Sequence, residues 1–140
     1  MADEKACGVI IYKNENNTRK YVIIRGVGLY QGYYGFPKGH MEPGETEIMT
    51  AIREVFEETA VQVHIDSKFR ETVHYSPMPG VEKEVVYFLT RTEQTEITPR
   101  VGEIAEVEWV PLEKAESYLT HENDKTVLRA AIAHRQNAHV

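Results

Sequence analysis

Hydrophobic positions follow two different periods along the chain. Near the start they run almost without interruption over residues 6–12 (ACGVIIY) and 20–25 (KYVIIR), as in strands covered on both faces of a sheet. Asn14-Glu15-Asn16-Asn17 between them reads as a hairpin loop. Residues 26–35, rich in glycine and tyrosine, read as an irregular loop. Pro43-Gly44 marks a turn, and from about Thr46 to Ala60 the period changes. Ile48, Ala51, Ile52, Val55, Phe56 and Thr59 recur at spacings of three and four, which predicts a helix with one core-facing stripe. Strand patterns return over 61–65, 69–75, 84–91 and 106–110, with Pro77-Met78-Pro79-Gly80 turning the chain in the middle of this series. Pro111 suits the first turn of a short helix ending near Leu119. Asn123 or Asp124 is placed to cap a last helix running to about Gln136. Strands, helix, strands, helices is the order of an α/β or α+β sandwich.

Composition narrows this picture only slightly. At 140 residues, with no repeat, low-complexity tract or linker, the chain fits one domain spanning 1–140 with a single core. No apolar run approaches the roughly 18–20 residues that cross a bilayer. The polar start, Met1-Ala2-Asp3-Glu4-Lys5, lacks a secretory signal's apolar stretch. Cys7 stands alone, which excludes a disulfide framework, and together these absences point to a cytoplasmic location. A net charge of −6 without a Lys/Arg cluster argues against a long nucleic acid as partner. A small polyanion is still compatible, provided divalent cations stand between it and the protein.

The chemistry concentrates in Arg53-Glu54-Val55-Phe56-Glu57-Glu58. At about 100° per residue, the three glutamates are expected on the flank opposite the apolar stripe, where spacings of three and four let them converge. Unit charges about 4 Å apart repel by roughly 4 kcal/mol at an effective dielectric near 20. Such acids either splay into water, as on many Glu-rich helices, or surround something positive. Carboxylate oxygens with room for water suit Mg²⁺ or Mn²⁺. Gly39, ahead of the helix, lets a backbone carbonyl approach such an ion. Arg53, eight residues after Glu45, can pair with Glu45 or Glu57 and hold a carboxylate in orientation.

The stretch Gly39-His40-Met41-Glu42-Pro43-Gly44-Glu45 followed by Arg53-Glu54-Val55-Phe56-Glu57-Glu58-Thr59-Ala60-Val61 resembles the Nudix box: Gly, five residues, Glu, seven residues, Arg-Glu-apolar-x-Glu-Glu-x-Gly-apolar. Six of its seven fixed positions are present, and Ala60 replaces the last glycine. That glycine serves a helix C-terminal turn, so Ala60 costs about 1 kcal/mol if its φ is positive. The resemblance implies the Nudix fold, a mixed β-sheet sandwiched between α-helices with the box as loop-helix-loop. It also implies hydrolysis of a nucleoside diphosphate linked to another group. Carried over, Glu54, Glu57, Glu58 and the Gly39 carbonyl would ligate metal, and Glu57 or Glu58 would deprotonate the attacking water.

Segments 6–11, 37–45, 83–89 and 108–110 are similar to the asymmetric diadenosine tetraphosphate hydrolases, whose K-x-V-x-Y strand brings a lysine and a tyrosine to the polyphosphate. Lys83 and Tyr87 match those positions, on one face of a strand. Tyr75 matches a stacking position for adenine, and Glu103 a position for a further acid acting on metal or water. Lys38 and His40, flanking the box glycine, are candidates for phosphate contact. Tyr30, Tyr33 and Tyr34 would stack on a base or simply cover the sheet. Trp109 reads as core, Cys7 and Met49 carry no functional assignment, and His64, His74, His121, His134 and His139 show no metal-ligand spacing. The resemblance implies cleavage of diadenosine tetraphosphate to ATP and AMP. The alternatives are another nucleotide, such as an oxidised nucleoside triphosphate or an RNA 5′ end, and a nucleotide sensor on the same fold.

Overall fold

The computed structural model describes residues 3–27, 33–66 and 68–138. Tyr30, His139 and the middle of the glycine-tyrosine loop lie outside them. The opening hairpin joins β1 (Glu4–Glu15) to β2 (Thr18–Gly26), each longer than its apolar run. Asn16 and Asn17 both take positive φ (51° and 64°), the left-handed pair that a two-residue hairpin turn needs and that asparagine tolerates.

Two short strands, β3 (Tyr34–Gly35) and β4 (Lys38–His40), replace the irregular backbone expected at the end of the loop. Helix α1 (Glu47–Thr59) follows, then the hairpin β5 (Arg70–Met78) and β6 (Val81–Arg91), β7 (Ile104–Pro111), α2 (Leu112–Tyr118) and α3 (Glu122–Ala138). The sheet order is β3-β2-β1-β6-β5, with β4 pairing the first half of β1 and β7 pairing β2. The β1–β6 pair is parallel and the other pairs are antiparallel, so the sheet is mixed.

Alternation along β1 explains the sandwich. Ala6, Ile10 and Tyr12 face the cluster containing Phe36, Tyr87, Leu119, Leu128 and Ala131, under α2 and α3. Cys7, Val9 and Ile11 face the cluster containing Val22, Ala51, Val55 and Phe88, under α1. Gly8 sits where the strand crosses the chain at Pro37 and Lys38, and any Cβ there would collide with both.

Four expectations change. Residues 61–65 form no strand, although Val61 and Ile65 are buried. Side chains serve their backbone groups: Gln94 Oε1 accepts from the Gln62 N–H at 3.4 Å, and Thr90 Oγ1 donates to the His64 carbonyl at 2.6 Å, while Gln94 Nε2 donates to the Ala60 carbonyl just before the segment at 3.0 Å. The core stripe of α1 is narrower than its apolar spacing, since Ala51, Val55 and Thr59 are buried while Ile52 and Phe56 are exposed. Helix α3 begins at Glu122, so Asn123 and Asp124 lie in its first turn and do not cap it. Trp109 is only half-buried, its indole N–H donating to the Thr95 carbonyl and its ring facing the Lys13 ammonium at 4.5 Å. Among the described residues no helix is long and apolar enough to cross a membrane.

Candidate active site

Helix α1 positions the acids. Thr46 caps it, its hydroxyl accepting from the Met49 N–H at 3.1 Å. At the other end Ala60 adopts φ 64° and returns its N–H to the Phe56 carbonyl at 2.9 Å. The left-handed turn therefore forms without glycine.

Arg53 organises the outer part of the site. Its Nε and Nη2 grip both Glu45 oxygens at 2.6 and 3.0 Å. Nη1 donates to Glu54 at 2.6 Å and to Glu57 at 3.2 Å, and Nη2 also reaches the His40 carbonyl at 3.0 Å. One guanidinium thus ties the loop after β4 to two acids of the helix. The Arg53 guanidinium, with the Glu42 N–H, holds the Glu45 carboxyl down at about 2. Arg53 is a positioning residue here, since its donors are occupied by protein oxygens.

Glu58 is not on the flank opposite the stripe. It stands seven residues after Ala51, close to two full turns, and is 8% exposed. Its Oε1 accepts from the Lys38 N–H at 3.0 Å. Burial pushes its pKa up to about 8, against that hydrogen bond. Outside it, Arg100 Nη1 lies 3.3 Å from Glu57 and 3.4 Å from Glu103, which brings Glu103 to the cluster from the turn before β7.

The expected convergence of Glu54, Glu57 and Glu58 on one point is not present. Among the described residues no three acids are arranged to hold an ion as they stand. The reason is visible: Arg53 draws Glu54 and Glu57 to itself, while Glu58 turns to Lys38. The donor set still fits a hard divalent cation. Glu45, Glu54, Glu57 and Glu103 gather around Arg53 and Arg100, with Glu58 near Glu54 and Glu103, and all offer oxygen donors. Gly39 faces the Glu54 carboxylate so closely that any Cβ would collide with it.

The other candidates divide. Lys83 is 8% exposed on β6 and opposite Tyr75 in the β5–β6 register, with its Nζ 5.9 Å from that ring's centre. No carboxylate pairs with it among the described residues, and burial together with nearby Lys38 lowers its pKa. His40 turns outward, its Nε2 3.2 Å from Glu4 Oε1. Tyr87 is fully buried, which corrects the expectation of direct ligand contact. Its ring packs edge-on against Phe36 with 5.9 Å between centroids, and its hydroxyl donates to Asp124 Oδ1 at 3.1 Å. Arg100 escaped the sequence reading and Asp124 entered it only as a helix cap: neither lies in a motif, and only the fold brings them to these partners.

The NUDIX domain family matches residues 4–131. The asymmetrical bis(5′-nucleosyl)-tetraphosphatase of Mus musculus is 30% identical over 122 residues, which are 79% of this chain and 81% of that one. An 8-oxo-(d)GTP phosphatase of Mycolicibacterium smegmatis is 29% identical over 96 residues, 69% of this chain but only 29% of that protein. Among solved structures, a binary complex of the C. elegans Ap4A hydrolase superposes with a TM-score of 0.86 at 26% identity, covering 96% of this chain and 98% of that one. The mixed sheet between helices, the box on α1 and the match across nearly the whole length agree, and the chain belongs to the Nudix family of pyrophosphohydrolases.

Proposed function

We propose that this hydrolase cleaves diadenosine tetraphosphate asymmetrically, to ATP and AMP, with Mg²⁺ or Mn²⁺ held by Glu54, Glu57, Glu58 and the Gly39 carbonyl. The observation that carries the reading is a cluster of acids and a nearly buried lysine, Lys83, in no salt bridge among the described residues, with Lys38 standing near both Lys83 and Glu58. Acids that need cations and a cation that needs an anion together suit a metal–polyphosphate complex. The tetraphosphatase relative and the Ap4A hydrolase structure support the substrate.

A bound divalent ion would neutralise phosphate charge and make water a better nucleophile. The chain does the rest. Lys83 and Lys38 bind phosphate oxygens, while Arg53 fixes the directions of Glu45, Glu54 and Glu57. Glu57 or Glu58 accepts the proton of the attacking water as its oxygen bonds to phosphorus and the bridging P–O bond breaks. Glu103, joined to Glu57 through Arg100, holds the outer edge of that water's site. Tyr75 covers an adenine from β5. His40 lies at the rim, where release from Glu4 frees it for phosphate. The reaction takes place within one domain, and the lone Cys7 favours the cytoplasm as its setting.

The test is release of ATP and AMP in equal amounts from diadenosine tetraphosphate, with Mg²⁺ and with a chelator. Glu57→Gln should lower kcat by at least about a hundredfold. Intact substrate in Mg²⁺ buffer, or turnover indifferent to the chelator, overturns the reading. The 8-oxo-(d)GTP phosphatase relative favours a second substrate, an oxidised nucleoside triphosphate, to be run in the same assay.

A further inference from the structure

Basic side chains collect around one hollow of this acidic chain. A cavity of about 430 Å³ opens where β1 and β6 end, and its lining carries Lys68, Arg91, His64 and His134 against one acid, Asp66. The chain as a whole has a net charge of −6, so this grouping runs against its composition. Lys68 is in no salt bridge among the described residues, and Glu93, the acid that Arg91 meets at 3.0 Å, is itself 83% exposed. Asp66 turns toward its own loop, its Oδ1 accepting from the Lys68 N–H at 3.1 Å.

Burial divides the lining into floor and rim. Tyr12 and Phe69 are nearly buried and Leu89 half-buried, while His64, Lys68 and Arg91 are exposed. The Phe69 ring meets the His134 imidazole edge-on, 5.4 Å between centroids, and Thr90 Oγ1 fixes the wall carrying His64 through that residue's carbonyl. Leu89 lies six residues beyond Lys83 on β6, about 20 Å at strand spacing, with the buried Tyr87 between them. The hollow is therefore separate from the acid cluster and from Lys83. Its size falls within the roughly 300–1,000 Å³ of small-molecule sites. An aromatic and apolar floor suits a flat ring, and guanidinium, ammonium and imidazole donors at the rim suit a phosphate. A neutral ring would leave the rim cations unmatched, and a bare phosphate would leave the floor unused. A phosphate ester bearing a ring meets both.

We propose that this hollow is a second ligand site, apart from the hydrolytic cleft, for a small phosphate ester carrying a planar ring, the class that includes nucleoside monophosphates. The proposal does not depend on the hydrolysis reading. The test is titration of the isotope-labelled chain with AMP in chelator, followed by amide chemical shifts. The amides of His64, Lys68, Phe69 and Arg91 should shift and saturate together. Adenosine and ribose 5-phosphate, each carrying half of the chemistry, should bind there about tenfold more weakly or worse. Lys68→Ala and Arg91→Ala, made singly and together, remove exposed cations, so the thermal midpoint should hold. Together they should weaken AMP binding at this site by about tenfold or more. Shifts confined to Lys38, Gly39 and Lys83 would put AMP in the cleft and overturn the proposal. So would no shift at millimolar AMP, equal binding of adenosine or ribose 5-phosphate, or unchanged affinity in the double variant. Each of these outcomes leaves the hydrolysis assay untouched, and a chain inactive in that assay can still pass this one.

Discussion

Glu58 and Lys83 are opposite charges in similar predicaments, each nearly buried and in no salt bridge among the described residues. Glu58 binds its proton more tightly in the folded chain than in the unfolded one. Its contribution to stability is therefore full below about 4.5 and falls as pH rises toward about 8, because the unfolded chain ionises first. In chelator, the thermal midpoint should decline across that window, and Glu58→Gln should flatten the decline. At its upper end the variant should be more stable by roughly 1–3 kcal/mol while losing activity. A decline unchanged in Glu58→Gln would refute the assignment. Lys83→Met exchanges a buried cation for an apolar side chain, so stability should hold or rise, while KM for a polyphosphate should increase about tenfold or more. The identity of the acids was legible in the spacing of Glu54, Glu57 and Glu58; their directions were not. Glu58 faces inward because seven residues return it to the side of Ala51, and Glu54 faces Arg53 because a guanidinium within reach outweighs mutual repulsion.

Helix α1 was legible at both ends. Thr46 is a capping side chain, and Ala60 occupies the position where the box pattern has glycine. Since Ala60 is left-handed, Ala60→Gly should stabilise the fold by about 1 kcal/mol. That corresponds to about 3 °C in the thermal midpoint, with no change in kcat, and a destabilised variant would contradict the turn. The segment 61–65 misled for an identifiable reason. Val61, Val63 and Ile65 alternate as in a strand, but the chain there is held by Gln94 and Thr90 instead of a neighbouring strand. Gln94→Ala should cost roughly 1–3 kcal/mol and accelerate amide hydrogen exchange around Gln62 more than in β1 or β6. Strand periodicity records which side chains face the core. It does not record what serves the backbone.

At the scale of the molecule, β1 was readable as a strand buried on both faces, and the sandwich followed from it. Its three-way sharing was not readable: β4 and β2 divide one edge while β6 runs parallel along the other. Non-local pairing of that kind leaves no local signal. Ligand linkage supplies a whole-chain test of the ion: Mg²⁺ at about a hundred times its Kd should add roughly 2.7 kcal/mol to stability, and Glu54→Gln with Glu57→Gln should abolish the gain. Arg53 gives that binding an unusual starting point. Because its guanidinium already spans Glu45, Glu54, Glu57 and the His40 carbonyl, loading a metal on the proposed ligands would be a substitution of one positive partner for another. An ion bound there would compete with one guanidinium for the same oxygens, so its affinity would be tuned by how firmly Arg53 is held.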